Sequence, residues 1–168
     1  MLKLSKLTDY GTLVMTVLAA APETMRTAAD LATRTRLGAP TVAKLLKLLA
    51  QGELVESSRG AHGGYRLARA PEKITVADVV RVLEGPIGIT ECAVHSGGCG
   101  IESSCSARAN WRLINSAIRH ALEAVTLAQM AAPMRGVKAM RDSASSAISL
   151  SRLNLGAHNA SAKISGKL

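Results

Sequence analysis

The chain has 168 residues, 48% of them hydrophobic but only 2% aromatic and none Phe, so one domain with an aliphatic, helix-leaning core is expected. A formal net charge of +9 favours an anionic partner, nucleic acid before membrane. No run is long and apolar enough to span a bilayer, Met1 to Lys6 lacks a signal-peptide core, and the three cysteines are an odd number; these features predict a cytoplasmic protein that uses its thiols for metal or redox chemistry rather than for structural disulfides.

The first helix is predicted over Leu7 to Ala21, with Thr8 as cap, Asp9 in the first turn and Leu13, Val14, Val17 and Leu18 as the apolar stripe. Pro22 ends it, Thr27 opens a short second helix through Ala32, and Gly38 breaks the pattern. Pro40 stands at the start of a third helix, where its missing N–H costs nothing. Val42, Leu45, Leu46, Leu48 and Leu49 supply its buried face and Gly52 stops it. Two short strands follow, Leu54 to Ser58 and Tyr65 to Leu67, joined by the glycine-rich turn Arg59 to Gly64. Ile74 to Glu84 reads as a further amphipathic helix, with Val76, Val79, Val80 and Leu83 inward and Gly85-Pro86 as its end.

Gly88 to Ser104 is predicted as a loop holding Cys92 and Cys99, and Cys105 closes it at the start of a long helix, Ser106 to Met130. Trp111, Ile114, Ile118, Leu122 and Val125 recur there at three- and four-residue steps, a seam suited to a partner helix. Beyond Pro133 the chain is rich in Ser, Ala and Gly, has no sustained apolar face and reads as disordered. It is also basic: Arg135, Lys138, Arg141, Arg152, Lys163 and Lys167 face a single acid, Asp142. Part of the positive charge therefore belongs to a tail rather than to the folded domain.

Two short helices joined by a tight turn, then a β-hairpin with a basic tip, form the layout of a winged helix-turn-helix. The fold expected is mainly α with a small β-wing: a winged helix-turn-helix domain at 1–85, a cysteine loop at 86–105, a long dimerisation helix at 106–132 and the basic tail at 133–168. With the apolar face of the third helix committed to the core, Thr41, Lys44 and Lys47 are left to meet base edges and phosphates. Arg59, flanked by glycine on the wing, suits a narrow minor groove. No Gly-rich phosphate loop, His-rich metal motif or nucleophile elbow supports an enzyme.

The cysteine spacing, six residues from Cys92 to Cys99 and five from Cys99 to Cys105, is not that of a zinc ribbon. Soft thiolates on a loop with Gly97, Gly98 and Gly100 suit an iron–sulfur cluster, a zinc ion or a thiol redox switch, and spacing alone leaves all three open.

Three motifs together resemble the IscR/NsrR-type family of winged-helix iron–sulfur regulators, most nearly its branch associated with the SUF assembly system. They are Leu7-Thr8-Asp9-Tyr10-Gly11, the wing run Ser58 to Leu67, and the cysteine loop leading into Asn110-Trp111. The resemblance covers Met1 to Met130 and implies a homodimeric transcription regulator, a repressor, that binds palindromic promoter DNA. It implies an iron–sulfur cluster on Cys92, Cys99 and Cys105, with [4Fe–4S] favoured over [2Fe–2S], that senses cluster status, nitric oxide or redox stress. IscR-like members complete the ligand set with a His three residues after the last Cys; here Arg108 stands at that position. NsrR-like members use an Asp of the partner's first helix, which Asp9 matches, with His95, Glu91 and Glu102 as the local alternatives. An acidic residue that IscR-like members use in base discrimination falls at Ala43, so a different target sequence is implied.

Overall fold

The structure is a computed structural model that describes residues 4–60, 62–94, 99–101 and 103–132, with the backbone alone for Glu91 and Cys92. The predicted disorder of the basic tail, and His95 and Glu102, lie outside the described residues.

Helix α1 runs Lys6–Ala19. Its cap is Ser5, extended in backbone, whose side-chain Oγ accepts the Thr8 N–H, so the helix starts earlier than the Thr8 cap predicts. Thr8 is instead a fully buried residue of the first turn. The buried face is Thr8, Gly11, Val14, Met15, Leu18 and Ala19, a three-and-four-residue repeat, and the expected stripe residue Leu13 is 42% exposed. Gly11 lets α4 approach closely: a Cβ there would meet the end of the Leu83 side chain, which would have to shift.

Helix α2 spans Ala28–Thr35 under a Thr27 cap and ends at Arg36, which is left-handed with φ 55°. Helix α3 spans Ala39–Gln51 with Pro40 in its first turn and Val42, Leu45, Leu46 and Leu49 buried. Gly52 ends it, yet the left-handed residue is Glu53, with φ 56°. The requirement for glycine at 52 is packing: a Cβ would collide with Val82.

Strands β1, Val55–Ser58, and β2, Gly64–Leu67, pair antiparallel with Val55 opposite Leu67 and Ser58 opposite Gly64. The Glu56–Arg66 pair on the outer face is an ion pair. Arg26 adds a third rung through reciprocal backbone bonds with Tyr65, 3.0 and 2.8 Å, and a Cβ on Gly64 would lie 2.7 Å from the Arg26 carbonyl oxygen. The glycine pair at 63–64 thus serves the close approach of backbone to backbone.

After a 3-10 turn at Pro71–Lys73 comes α4, Val76–Glu84, opened by a capping box in which Thr75 and Asp78 satisfy each other's backbone N–H. Ala77, Val79 and Val80 are buried, while Val76 and Leu83 are half-buried. A short helix α5, Glu91–Val94, lies inside the segment expected to be loop.

The long terminal helix is two helices: α6, Arg108–Glu123, and α7, Leu127–Ala131. The break has a tertiary cause. The Val125 carbonyl accepts the Val76 N–H at 2.9 Å, and the Leu127 N–H donates to the Ile74 carbonyl at 2.9 Å. Thr126 and Gln129 then form a second capping box, and Leu127 is fully buried against the core. The core is aliphatic throughout, with Met15, Leu18, Leu31, Leu45, Leu46 and Ile74 among its fully buried side chains.

At Asp78, burial raises the carboxyl pKa, but the Thr75 N–H and hydroxyl and the charges of Arg81 and Arg69 outweigh it and hold the group below its ordinary 3.8. A depressed folded-state pKa contributes stability above the unfolded value and loses it as pH falls through the folded one. Asp78→Ala should therefore cost about 1 kcal/mol at pH 7, with the difference from the unmodified protein shrinking below about pH 3.8. Urea unfolding at pH 7 and at pH 3 checks both statements.

Candidate nucleic-acid interface and thiolate site

The buried face of α3 dictates what its outer face presents. With Val42, Leu45, Leu46 and Leu49 inside, the helical period leaves Ala43, Lys44 and Lys47 exposed and Thr41 half-buried near the N-terminal end. Gly38 caps α3 through its backbone alone: its carbonyl accepts the Thr41 and Val42 N–H groups at 2.9 and 3.1 Å, and Pro40 has no N–H to satisfy. Arg59 is exposed just past β1, followed by Gly60 with φ 118°. None of the ion pairs among the described residues involves Lys44, Lys47 or Arg59, so their charge faces outward unneutralised. Arg34, by contrast, is tied with Arg26 to Asp30, at 2.9 and 3.0 Å. Thr41 and Lys44 share a surface cleft with Pro40 and with Lys6, Leu7 and Tyr10 of α1.

Arg36 is a surface cation the sequence reading passed over. It is exposed in the turn between the two helices, and its left-handed backbone is a conformation usually given to Gly or Asn.

The cysteine loop leaves α4 through Gly85, with φ 90° and ψ −159°, a conformation open to glycine almost alone. Asn115 of α6 then grips it: its Oδ1 accepts the Ile89 N–H and its Nδ2 donates to the Ile87 carbonyl, both at 3.3 Å. At 6% exposure Asn115 is the buried polar residue of α6, and these two bonds satisfy its amide. The sequence offered one signal for it, an amide on a helix face otherwise lined by Trp111, Ile118 and Leu122. Gly88 packs where a Cβ would overlap Val94, holding the loop close to α5.

Cys92 lies on α5, and Cys99 and Cys105 are free, half-buried thiols, the latter just ahead of α6. Among the described residues no three His, Cys, Asp or Glu side chains stand together as a metal set, the Cys92 side chain being outside that description. Asp9 is exposed in the first turn of α1. Arg108 is half-buried at the start of α6. Along α6, Trp111, Leu113 and Ile114 are exposed, at 40%, 72% and 44%. No helix among the described residues is long and apolar enough to cross a membrane.

Residues 4–133 match the family model Rrf2, described as an iron-dependent transcriptional regulator. The chain is 31% identical over 130 residues to protein rrf2 of Nitratidesulfovibrio vulgaris, covering 77% of this chain and 87% of that protein. Its fold is similar to CymR (YrzC), the global cysteine regulator of B. subtilis, with a TM-score of 0.62 at 33% identity over 78% of this chain and 97% of that one. It is likewise similar to T. potens IscR, with a TM-score of 0.60 at 33% identity over 77% and 85% of the two chains. The family and these neighbours are transcription regulators, which places the chain outside the enzymes. A match over most of the described residues, joined to the winged helix-turn-helix and the cysteine loop, makes this chain a member of the Rrf2 family of iron-dependent transcriptional regulators.

Proposed function

We propose that this regulator binds palindromic duplex DNA as a homodimer, and that an iron–sulfur cluster held by Cys92, Cys99 and Cys105 sets its affinity. The observation that supports the DNA reading most directly is the outer face of α3, where Lys44 and Lys47 are exposed and form no ion pair with another described residue, beside a half-buried Thr41. Lys44 and Lys47 contact phosphates or a guanine edge, Thr41 meets base or phosphate from the first turn, and Arg59 enters the adjacent minor groove. The exposed apolar residues of α6 are the surface a second copy covers, since Trp111 and Ile114 otherwise remain in water.

The donor set fits a cluster. Two of the thiols are free and half-buried, and soft thiolate sulfur selects zinc or iron–sulfur centres over hard cations. The family description as iron-dependent favours iron. A bound [4Fe–4S] cluster, the favoured form, supplies an inorganic centre that oxidants and nitric oxide can reach. Asp9 of the partner subunit is the proposed fourth ligand: its position on the first turn of α1 is exposed and free to face another copy. Arg108 cannot donate to a metal, which removes the ligand position three residues after Cys105. The association with the SUF branch and a repressor role rest on the motif resemblance.

Two outcomes are expected. Lys47→Ala, which removes one phosphate contact from each of the two copies, should weaken binding across sequences and reduce the magnitude of the slope of log affinity against log salt by about two per dimer, read by fluorescence anisotropy over a salt series; an unchanged slope removes Lys47 from the phosphate contacts. Cys99→Ala, purified without oxygen, should lose the brown colour, the visible charge-transfer absorption and the bound iron. A colourless unmodified protein with stoichiometric zinc, or with neither metal, would replace the cluster with a zinc site or a thiol switch.

A further inference from the structure

We propose that Glu84 is a positioning residue that carries the state of the cysteine loop to the first turn of α1 and from there to the recognition helix α3. The proposal deepens the reading above and rests on it in one respect, that the state of the loop matters for DNA binding.

Glu84 is the last residue of α4, where its charge faces the negative end of its own helix dipole. That placement is locally unfavourable, so its use has to be sought in tertiary contacts. Its Oε1 lies 2.7 Å from the Ser5 N–H, a bond between groups 79 residues apart in sequence. The Thr8 side chain also favours the charged form of the carboxyl, so Ser5 and Thr8 both act on it. Ser5 and Thr8 hold each other: the Thr8 N–H donates to Ser5 Oγ at 3.2 Å, and the Ser5 hydroxyl lies 3.4 Å from Thr8 Oγ1. The carboxylate that opposes the end of α4 therefore complements the positive start of α1 and knits its cap together. These same bonds hold the Glu84 carboxyl below its ordinary range.

On the other side of Glu84 the connection to the gripped stem is short. Gly85 holds φ 90° and ψ −159°, Pro86 follows with a restricted φ, and Ile87 is bonded to Asn115. A displacement of the loop stem is thus passed to the Glu84 backbone within two residues. Beyond the Ser5–Thr8 cap, Lys6, Leu7 and Tyr10 line the cleft they share with Pro40, Thr41 and Lys44 at the start of α3. Asp9 occupies the same turn. The loop stem, the carboxylate and the α1 cap are thus linked in sequence and by bonds, and α1 flanks the start of α3 across the cleft; Glu84 is the contact that joins α4 to the α1 cap.

The test needs no cluster. Metal-free full-length protein is compared before and after modification of its cysteines with iodoacetamide, reading hydrogen–deuterium exchange over Leu4 to Tyr10. In the unmodified sequence, alkylation should speed exchange of these amides by about fivefold or more. In Glu84→Ala the exchange should be fast already and alkylation should add nothing. Glu84→Gln keeps an oxygen for the Ser5 N–H but loses the charge, and should fall between. Thermal melting of each variant confirms that the fold is retained, and Glu84→Gln serves if Glu84→Ala does not fold. Equal responses to alkylation in all variants, or no response in the unmodified sequence, overturn the proposal. Iron content and the visible spectrum of the protein as purified report separately on the cluster reading, so failure of one is not mistaken for failure of the other.

Discussion

Burial of one aliphatic face of α3 is the constraint from which the interface follows. Val42, Leu45, Leu46 and Leu49 are all fully enclosed, and they repeat at helical spacing. Removing so much apolar surface from water fixes the rotation of α3 about its axis, since turning the helix would bring Lys44 and Lys47 into the core uncompensated. The outward direction of the lysines is thus a consequence of packing. With no Phe in the chain, this packing depends on interlocking small and branched side chains. Gly11 beneath Leu83 and Gly52 beneath Val82 show how closely the helices approach.

The same packing sets where the cysteine loop can act. The loop starts at the end of α4, whose residues Val82 and Leu83 meet the glycines of α3's end and α1. It returns through Cys105 into α6, where Asn115 grips its stem. A ligand organising the three thiols would therefore pull on segments already in contact with the DNA-binding helices. Because a compact aliphatic core resists continuous deformation, a small movement at the stem passes to its neighbours.

Local signals were the most legible in the sequence. Thr27, Pro40 and Gly85 announce helix ends through their own chemistry, and the hairpin follows from the glycine-rich turn. The outer face of α3 could be read because Val42, Leu45, Leu46 and Leu49 define the inner one, with the expected Leu48 half-buried at its edge. The expected cap Thr8 is displaced by Ser5: the Ser5 Oγ accepts the Thr8 N–H, Glu84 holds the Ser5 N–H from across the chain, and Thr8 is buried. The break between α6 and α7 had a local sign, Thr126 with Gln129, but the apolar seam continues to Val125 and masks it. Its cause, the pairing of that turn with Ile74 and Val76, joins segments about fifty residues apart and leaves no periodic trace. Asn115 and the backbone pairing of Arg26 with Tyr65 were hidden for the same reason. For the cysteines, residue type narrows the chemistry to soft-metal or redox sites, and the family supplies the preference for iron.

The central claim is that occupancy of the thiolate site changes affinity for DNA. The most direct measurement is the dissociation constant for one duplex, selected by the protein from random sequence, with anaerobically reconstituted and cluster-free protein at a single salt concentration. A coupling of about 1–3 kcal/mol predicts affinities that differ by roughly 5- to 150-fold between the two states. Equal affinities would contradict the account, leaving a DNA-binding protein whose cysteines do not govern it.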